Sequence, residues 1–226
     1  MLIQKKALLL IGSPKIKKST SEALGNYVLD GLNKKGYVCE KLHILSMLKK
    51  DARELINRVK DTDILIISFP LYVDSLPSPL IKALELMADN RKEKRPEKEQ
   101  SLMVIVNCGF PEAFQNDTAL RICKSFANKT GFKWLGGLAM GSGSAIDGRP
   151  IEQLGGMTRN IVKALNNATE AIVNNENVPT EAINLMAAKL IPRWLYIFFG
   201  NIGWKNQAKK HNVDKILYSK PLFKNN

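Results

Sequence analysis

The fold is decided by Ala7-Leu8-Leu9-Leu10-Ile11-Gly12-Ser13-Pro14-Lys15-Ile16-Lys17-Lys18-Ser19-Thr20-Ser21. The apolar run at its start predicts a buried strand, and an amphipathic pattern after it predicts a helix. The glycine, cations and hydroxyls between them form a loop at a helix N-terminus. Such a loop holds phosphate readily, because backbone N–H groups and the positive end of the helix dipole face it. Ser19, Thr20 and Ser21 can cap the helix or donate hydroxyls to a ligand.

The pattern downstream of this stretch alternates strands with helices. Strands are predicted at about 6–11, 37–43, 63–69, 102–107 and 132–139. Helices are predicted at about 20–34, 51–60, 78–89, 115–130 and 155–174. The last helix places Met157, Ile161, Leu165, Ala168 and Ile172 on one apolar stripe.

The first, third and fourth strands are continuously apolar, as in Ile64-Leu65-Ile66-Ile67. Strands covered on both faces have this pattern. The sequence therefore predicts a doubly wound α/β sandwich of three layers, and both the order 2-1-3-4-5 and a Rossmann order satisfy it. In either order, ligands bind beyond the carboxyl ends of the strands, where the strand order reverses.

Bulk properties limit the classes of function. Among the 226 residues, 34 Lys and Arg against 21 Asp and Glu give a net charge of +13, which permits nucleic acid, anionic membrane or phosphorylated small molecules as partners. The densest charged run, 91–99, alternates in sign and holds no aromatic residue, so we expect a solvated connector and no nucleic acid. Three dispersed cysteines predict a reducing cytoplasm and no metal site, and no apolar stretch is long enough to span a membrane.

Two further loops resemble the first in ending a predicted strand. One runs from Phe69 to Leu80 and has Pro70 and Tyr72 at its start. The other is Asn107-Cys108-Gly109-Phe110-Pro111-Glu112. A proline-stiffened loop carrying an aromatic side chain makes a flat wall, and glycine allows backbone to approach a planar ligand. Together the three loops predict a site for a phosphate at one end and an aromatic ring system at the other.

The chain resembles the NADPH-dependent FMN reductase family of flavodoxin-like flavoproteins. The matching motifs are Gly12-Ser13-Pro14-Lys15 with Ser19-Thr20-Ser21, Pro70-Leu71-Tyr72 with Leu76-Pro77 and Leu80-Ile81-Lys82, and Asn107 to Glu112, in order across roughly 6–145. The resemblance implies a flavodoxin-like, five-stranded parallel sheet of order 2-1-3-4-5. Related iron–sulfur flavoproteins carry cluster cysteines between the first helix and the third strand, but 46–61 holds none here, so no cluster is implied.

The resemblance also implies a set of FMN-binding residues. Those for the phosphate are Ser13, Ser19, Thr20 and Ser21, and Lys15 of the same loop is a further FMN-binding residue. Those for the isoalloxazine are Pro70, Leu71, Tyr72 and Val73 on one side, and Asn107, Cys108, Gly109 and Phe110 on the other. Relatives commonly carry an Arg and an Asn where this loop has Lys15-Ile16-Lys17-Lys18, so the loop departs from the family pattern at these positions.

The implied activity is transfer of hydride from NAD(P)H to FMN and then to a small acceptor, such as a quinone, free flavin, nitro compound or metal ion. FMN supplies the redox chemistry, so we expect no catalytic side chain. Cys108 is predicted to be a small wall residue, because no basic neighbour in the sequence would activate its thiol. The alternatives are an FMN-binding electron carrier and a binding module that retains the fold. The sequence does not fit a nucleoside triphosphatase, since Lys18-Ser19-Thr20 lacks the glycine that precedes the lysine in a phosphate-binding loop of that class.

The predicted domains are an FMN-binding domain at 1–176 and a C-terminal extension at 177–226, helical at least over 181–190. The extension carries Trp194, Tyr196, Phe198, Phe199 and Trp204 in a basic context. So many aromatic residues predict burial against a second subunit or over the flavin site, as a dimer arm or lid. We therefore expect a homodimer or higher oligomer. The alternative hypothesis is a membrane-surface helix. Such a helix has separate basic and apolar faces, and Gly200, Asn201 and Gly203 make that separation incomplete.

Overall fold

The computed structural model of the protein describes residues 4–15, 18–93 and 96–219. By internal contacts the chain forms two compact units, of which the first ends at Leu190 and the second begins at Ile191. The prediction placed the corresponding division at residue 176. The first unit extends further, because the helix over Thr180–Ala187 packs on the preceding helix and on the last strand of the sheet.

The first unit is built on a five-stranded parallel sheet. Its strands are β1 (Lys6–Ile11), β2 (Val38–His43), β3 (Ile64–Pro70), β4 (Ser101–Asn107) and β5 (Lys133–Met140). Their spatial order is β2-β1-β3-β4-β5, and every neighbouring pair is parallel. This confirms the order implied by the resemblance and excludes the Rossmann order. The order reverses between β1 and β3, so a ligand site is expected at the carboxyl ends of these strands.

Helices cover both faces of the sheet. They are α1 (Thr20–Lys34), α2 (Ile44–Lys50), α3 (Ala52–Asp61), α4 (Ser78–Glu93), α5 (Asp117–Thr130), α6 (Arg159–Val173) and α7 (Thr180–Ala187). Helices α1, α6 and α7 contribute to one buried apolar cluster, and α2 to α5 contribute to the other. Strands β1 and β3 supply residues to both clusters because alternate side chains point to opposite faces. This explains their continuously apolar sequences.

Three helical segments differ from the sequence prediction. The helix predicted at least over 181–190 ends at Ala187, where Ala188 takes an extended conformation. Helix α2 was not predicted: its seven residues have no side-chain cap, and burial of Ile44 and Met47 in the second cluster stabilises it. The helix predicted over 155–174 begins only at Arg159. A 3-10 segment, Ile151–Thr158, precedes it and contains Gly155 at φ 60°. The placement of Met157 on the apolar stripe was therefore wrong, since its side chain is exposed, whereas the other four stripe residues are buried.

The second unit contains helix α8 (Arg193–Lys210) and a short 3-10 turn, Asp214–Ile216. Across the described residues, no helix combines the length and apolarity that crossing a membrane requires.

Candidate functional site

The candidate site lies beyond the carboxyl ends of β1, β3 and β4. The amide of Gly12 donates to the carbonyl of Ser68 at 2.8 Å, which joins the loop after β1 to β3. A Cβ atom built on Gly12 would lie 2.8 Å from Cβ of Phe69. Only glycine therefore lets the first loop leave the sheet this close to β3, and the two loops diverge from a common point.

The first loop ends in a capped helix. Ser19 is the N-cap of α1, and its Oγ accepts a hydrogen bond from the amide of Glu22 at 3.1 Å. The Thr20 hydroxyl donates to the carbonyl of Gly143 at 2.7 Å, and the buried Ser21 hydroxyl donates to Oδ1 of Asn107 at 2.7 Å. A hydroxyl has a single proton to donate, so in this arrangement Ser19 keeps its proton for a ligand. Thr20 and Ser21 connect the first loop to the loops beside it.

The start of α1 also supplies backbone donors. Amides of the first helical turn have no carbonyl partner within the helix, which leaves those of Thr20 and Ser21 facing the loop. Ser13 is buried, and its Oγ accepts from the amide of Lys15 at 3.3 Å. Lys15 and Lys18 are exposed at the edge, while Ile16 and Lys17 lie outside the described residues. Hydroxyls, amides and two ammonium groups thus meet at one place, and this donor set suits a dianionic phosphate.

The second loop makes a tight turn after β3. Tyr72 and Ser75 exchange backbone hydrogen bonds at 2.9 and 3.0 Å, and the two residues between them, Val73 and Asp74, have φ values of 47° and 56°. Two central residues with positive φ characterise a type I′ turn. A β-branched residue adopts positive φ only under strain, and the exposed Val73 side chain has no packing that offsets it. The turn leaves the Tyr72 ring half-exposed beside Pro70.

The third loop is fixed from both sides. The carbonyl of Asn107 accepts from the amide of Leu71 at 2.8 Å, and the amide of Cys108 donates to the carbonyl of Met140 at 3.0 Å. Nothing lies within 4 Å of a Cβ atom built on Gly109, so the backbone there borders open space. A planar ligand can therefore approach this backbone closely.

Cys108 is a buried thiol within the third loop. Its Sγ lies 3.6 Å from the carbonyl oxygens of Phe110 and Glu112, which share its single proton, and accepts from Nδ2 of Asn116 at 3.4 Å. Burial raises the pKa of the Cys108 thiol, and the hydrogen bond from Asn116 opposes this increase only in part. The environment therefore disfavours a nucleophilic thiolate and agrees with a wall residue.

We expect the native protein to react slowly with iodoacetamide at neutral pH. Burial raises the pKa of all three thiols, that of Cys123 to about 12, so the thiolate fraction at pH 7 is smaller than in the unfolded chain. The alkylation rate, followed by mass spectrometry, should rise with pH and increase at least about tenfold in urea. The variant Cys108→Ser identifies the peptide that carries this residue. Rapid native labelling of Cys108 at pH 7 would contradict its role as a wall residue.

A fourth loop, 141–148, completes the site and was not predicted from the sequence. The amide of Gly143 donates to the carbonyl of Cys108 at 2.8 Å, and its carbonyl accepts from Thr20. A Cβ atom on Gly143 would lie 2.7 Å from Nδ2 of Asn107. The signal in the sequence is Gly141-Ser142-Gly143-Ser144, small and polar residues directly after the fifth strand. The loop adds Gly143, Ser144 and Asp147 to the lining of the site.

The loops enclose a cavity of about 220 Å³. Ten of the thirteen predicted residues line it: Ser13, Lys15, Ser19, Thr20, Ser21, Pro70, Tyr72, Asn107, Cys108 and Gly109. The other three do not. Leu71 packs against the second apolar cluster, Val73 is 98% exposed at the tip of its turn, and Phe110 is 53% exposed.

Larger cavities lie elsewhere in the first unit. One of about 540 Å³ adjoins the site and shares Lys18 and Ser19 with it. Another of about 440 Å³ lies between α3 and α4, where Arg91 stacks on Phe132. It is away from the carboxyl ends of the strands, so the smaller cavity at the reversal point remains the candidate site. In the described part of the chain, no three His, Cys, Asp or Glu side chains are grouped to hold a metal ion.

A family model described as "Flavodoxin-like fold" matches residues 5–153. The chain belongs to this flavodoxin-like family. The match spans β1 to β5 and all four loops of the site. It confirms the resemblance to flavodoxin-like proteins that the sequence motifs indicated. No curated protein matches the sequence.

Solved structures share the fold at low identity. An NADH:FMN oxidoreductase in its apo form is 16% identical with a TM-score of 0.59, covering 84% of this chain and 97% of that one. An FMN-dependent NADH-azoreductase from Bacillus anthracis, in complex with FMN, is 16% identical with a TM-score of 0.56, covering 75% and 100%. An NADPH-quinone reductase from P. pentosaceus is 18% identical with a TM-score of 0.54, covering 73% and 97%. These likenesses show the fold.

Proposed function

We propose that this flavodoxin-like protein binds FMN and catalyses the oxidation of NAD(P)H with reduction of a small acceptor. The observation that carries the proposal is one cavity in which the hydroxyl and amide donors of the first loop meet the Pro70 and Tyr72 wall and Gly109, where a built Cβ atom would have no neighbour within 4 Å. Two structures of the same fold support it, one described as an FMN-dependent NADH-azoreductase in complex with FMN and the other as an NADH:FMN oxidoreductase.

The residues of the cavity fit FMN at both ends. Ser13, Ser19 and the amides at the start of α1 would hold the phosphate, and Lys15 and Lys18 would add positive charge at the rim. Pro70 and Tyr72 would contact one side of the ring system, and Asn107, Cys108 and Gly109 the other. Gly143 and Ser144 would close the site between the two ends.

The side chains then act by position and polarity. When bound, FMN would supply the redox chemistry between the nicotinamide and the acceptor. Pro70 stiffens the exit of β3, and the hydrogen bond between Leu71 and Asn107 holds the second and third loops together. The half-exposed Tyr72 ring leaves an apolar surface at the entrance against which a second planar molecule can stack. We expect no side chain to transfer a proton, and the proton that reduction of a quinone takes up would come from solvent.

The test is anaerobic reduction of the FMN-loaded protein. We expect NADPH or NADH to bleach the visible flavin absorbance, and a quinone added afterwards to restore it, as hydride arrives and two electrons leave. Free FMN at the same concentration is the control for direct reduction. If FMN binds but neither nicotinamide bleaches it, the protein is an electron carrier or a binding module. If FMN does not bind, the proposal fails at its first step.

Replacing Ser19 and Thr20 together by alanine should weaken FMN binding at least about tenfold, because a hydroxyl donor to a charged group is lost with the contact to Gly143. Loss of the helix cap also removes about 1 kcal/mol of stability, so circular dichroism should confirm folding. The matched control is Thr118→Ala with Ser125→Ala, two exposed hydroxyl residues of α5. Equal FMN affinity in both double variants, measured by fluorescence titration, would reject the phosphate assignment.

The acceptor, the cellular location and the oligomeric state belong to the same proposal. We propose a quinone, free flavin, nitro compound or metal ion as the acceptor, with no nucleic acid partner. The three free cysteines support a reducing cytoplasm. A homodimer or higher oligomer stays a prediction, and light scattering of the full chain tests it.

A further inference from the structure

Helix α8 carries an uncharged block between two basic ends. From Trp194 to Trp204 no residue is charged, and Arg193 and Lys205 flank the block directly. At 1.5 Å per residue the block is about 17 Å long. The hydrocarbon core of a bilayer is about 30 Å thick, so the block is too short to cross it and long enough to lie at its surface.

The block exposes apolar side chains over most of its circumference. Exposed fractions reach 70% for Trp194, 68% for Trp204, 58% for Phe199 and 54% for Phe198, and Ile197 and Ile202 are exposed as well. At 100° per residue these six side chains spread over an arc of about 220°. A helix that packs on one protein surface presents a narrower apolar stripe, of about 100° or slightly more. The wide arc favours a fluid apolar medium over a lid contact or one face of a second copy.

The charge of the second unit favours an anionic lipid surface over a second copy of the chain as the partner of this block. Its described charged residues are Arg193, Lys205, Lys209, Lys210, Lys215 and a single acid, Asp214. A second copy would bring an identical basic segment to a chain that already carries a net charge of +13, and like charges oppose that approach. An anionic lipid surface has the complementary sign and attracts each nearby Lys or Arg by about 1 kcal/mol.

The positions of the tryptophans agree with a lipid surface. Trp194 and Trp204 stand at the two ends of the uncharged block, each next to a basic residue. Indole rings favour the boundary between hydrocarbon and headgroups, because one edge is apolar and the N–H is polar. Lysine side chains beside them can extend to the headgroups while their stems stay in the apolar layer.

We propose that the second unit docks this protein onto an anionic membrane surface through the aromatic block and basic end of α8. The proposal is independent of the flavin site in the first unit. The partner that we propose for α8 is the lipid surface itself, and no membrane protein is needed.

Vesicle sedimentation of the full-length protein tests this proposal. We expect binding to phosphatidylcholine vesicles containing phosphatidylglycerol, weak binding to pure phosphatidylcholine, and loss of binding at high salt. The double variant Lys205→Glu with Lys209→Glu should lower the partition coefficient at least about tenfold. Its matched control is Lys124→Glu with Lys129→Glu, the same charge change at exposed positions of α5, which should bind as the wild type does.

A second pair of substitutions tests the aromatic contribution. Trp194→Ala with Trp204→Ala should reduce vesicle binding by a similar factor at unchanged net charge, and circular dichroism should show that the helices persist. Intrinsic fluorescence of the wild type should shift to shorter wavelength with anionic vesicles, and this variant, which retains Trp134, should not shift. Absence of wild-type sedimentation with anionic vesicles, or equal loss in the α5 control, overturns the proposal. Dimers in light scattering that the tryptophan variant abolishes, without vesicle binding by the wild type, would assign the block to a second copy.

Discussion

Replacing Gly148 by alanine should weaken FMN binding by on the order of a hundredfold, which corresponds to about 2.7 kcal/mol. A Cβ atom at this position would lie 2.3 Å from the carbonyl carbon of Lys18 and 2.4 Å from its oxygen. Both neighbours are backbone atoms and cannot rotate away. Either the fourth loop or the phosphate end of the first loop must therefore move, and both line the proposed site.

The control for Gly148→Ala separates this clash from backbone strain. Gly148 has φ 70°, a conformation that costs alanine about 1 kcal/mol wherever it occurs. Gly131, at the C-cap of α5, has φ 74°, but nothing lies within 4 Å of a Cβ atom built there. Gly131→Ala should therefore lose only this strain energy in stability and keep its FMN affinity, as measured by urea unfolding and fluorescence titration. Equal FMN affinities in the two variants would show that the contact with Lys18 does not shape the site.

The reason for expecting a large effect is that the four loops are joined in a chain of hydrogen bonds. Thr20 donates to the carbonyl of Gly143, and the amide of Gly143 donates to the carbonyl of Cys108. Ser21 donates to the side chain of Asn107 in the same region. A displacement of the fourth loop is therefore transmitted to the first and third loops. The proposed sites for the phosphate and for the ring system are then disturbed together.

The sequence predicted the sheet well because burial on both faces leaves a strong signal. The central residues of β1, β3 and β4 form apolar runs, and all residues of these strands except the terminal Lys6 and Pro70 are buried. The strand order could not be decided by this pattern, since both doubly wound orders produce it. It followed from the resemblance, and the pairing of β1 with both β2 and β3 confirms it.

The site was predicted in part, for a physical reason. Glycine, proline and hydroxyl residues at strand ends are visible in the sequence, so three of the four loops could be located. The contacts between loops are not visible: Ser21 meets Asn107 across 86 positions, and Thr20 meets Gly143 across 123. Val73 is exposed because it lies in a turn with two positive φ values. The sequence has no glycine at either position, so this turn could not be predicted.

Replacing Phe69 by alanine should lower the free energy of unfolding by about 3–5 kcal/mol, the usual cost of truncating a buried phenylalanine. The Phe69 side chain is fully buried in the second apolar cluster, and Phe69 directly precedes Pro70, the proline that ends β3. Small domains are stable by about 5–15 kcal/mol, so this loss is a large part of the total. Urea unfolding followed by circular dichroism measures it.

The control for Phe69→Ala is Phe114→Ala, which removes the same atoms from a side chain that is 64% exposed and should change stability by less than about 1 kcal/mol. If Phe69→Ala does not fold, Phe69→Leu provides a milder test, with a smaller shift of the unfolding midpoint in the same direction. Midpoints that coincide for Phe69→Ala and Phe114→Ala would mean that this ring does not stabilise the second cluster. Because Phe69 also packs beside Gly12, its loss should loosen the junction of the first two loops, and FMN affinity should fall together with stability.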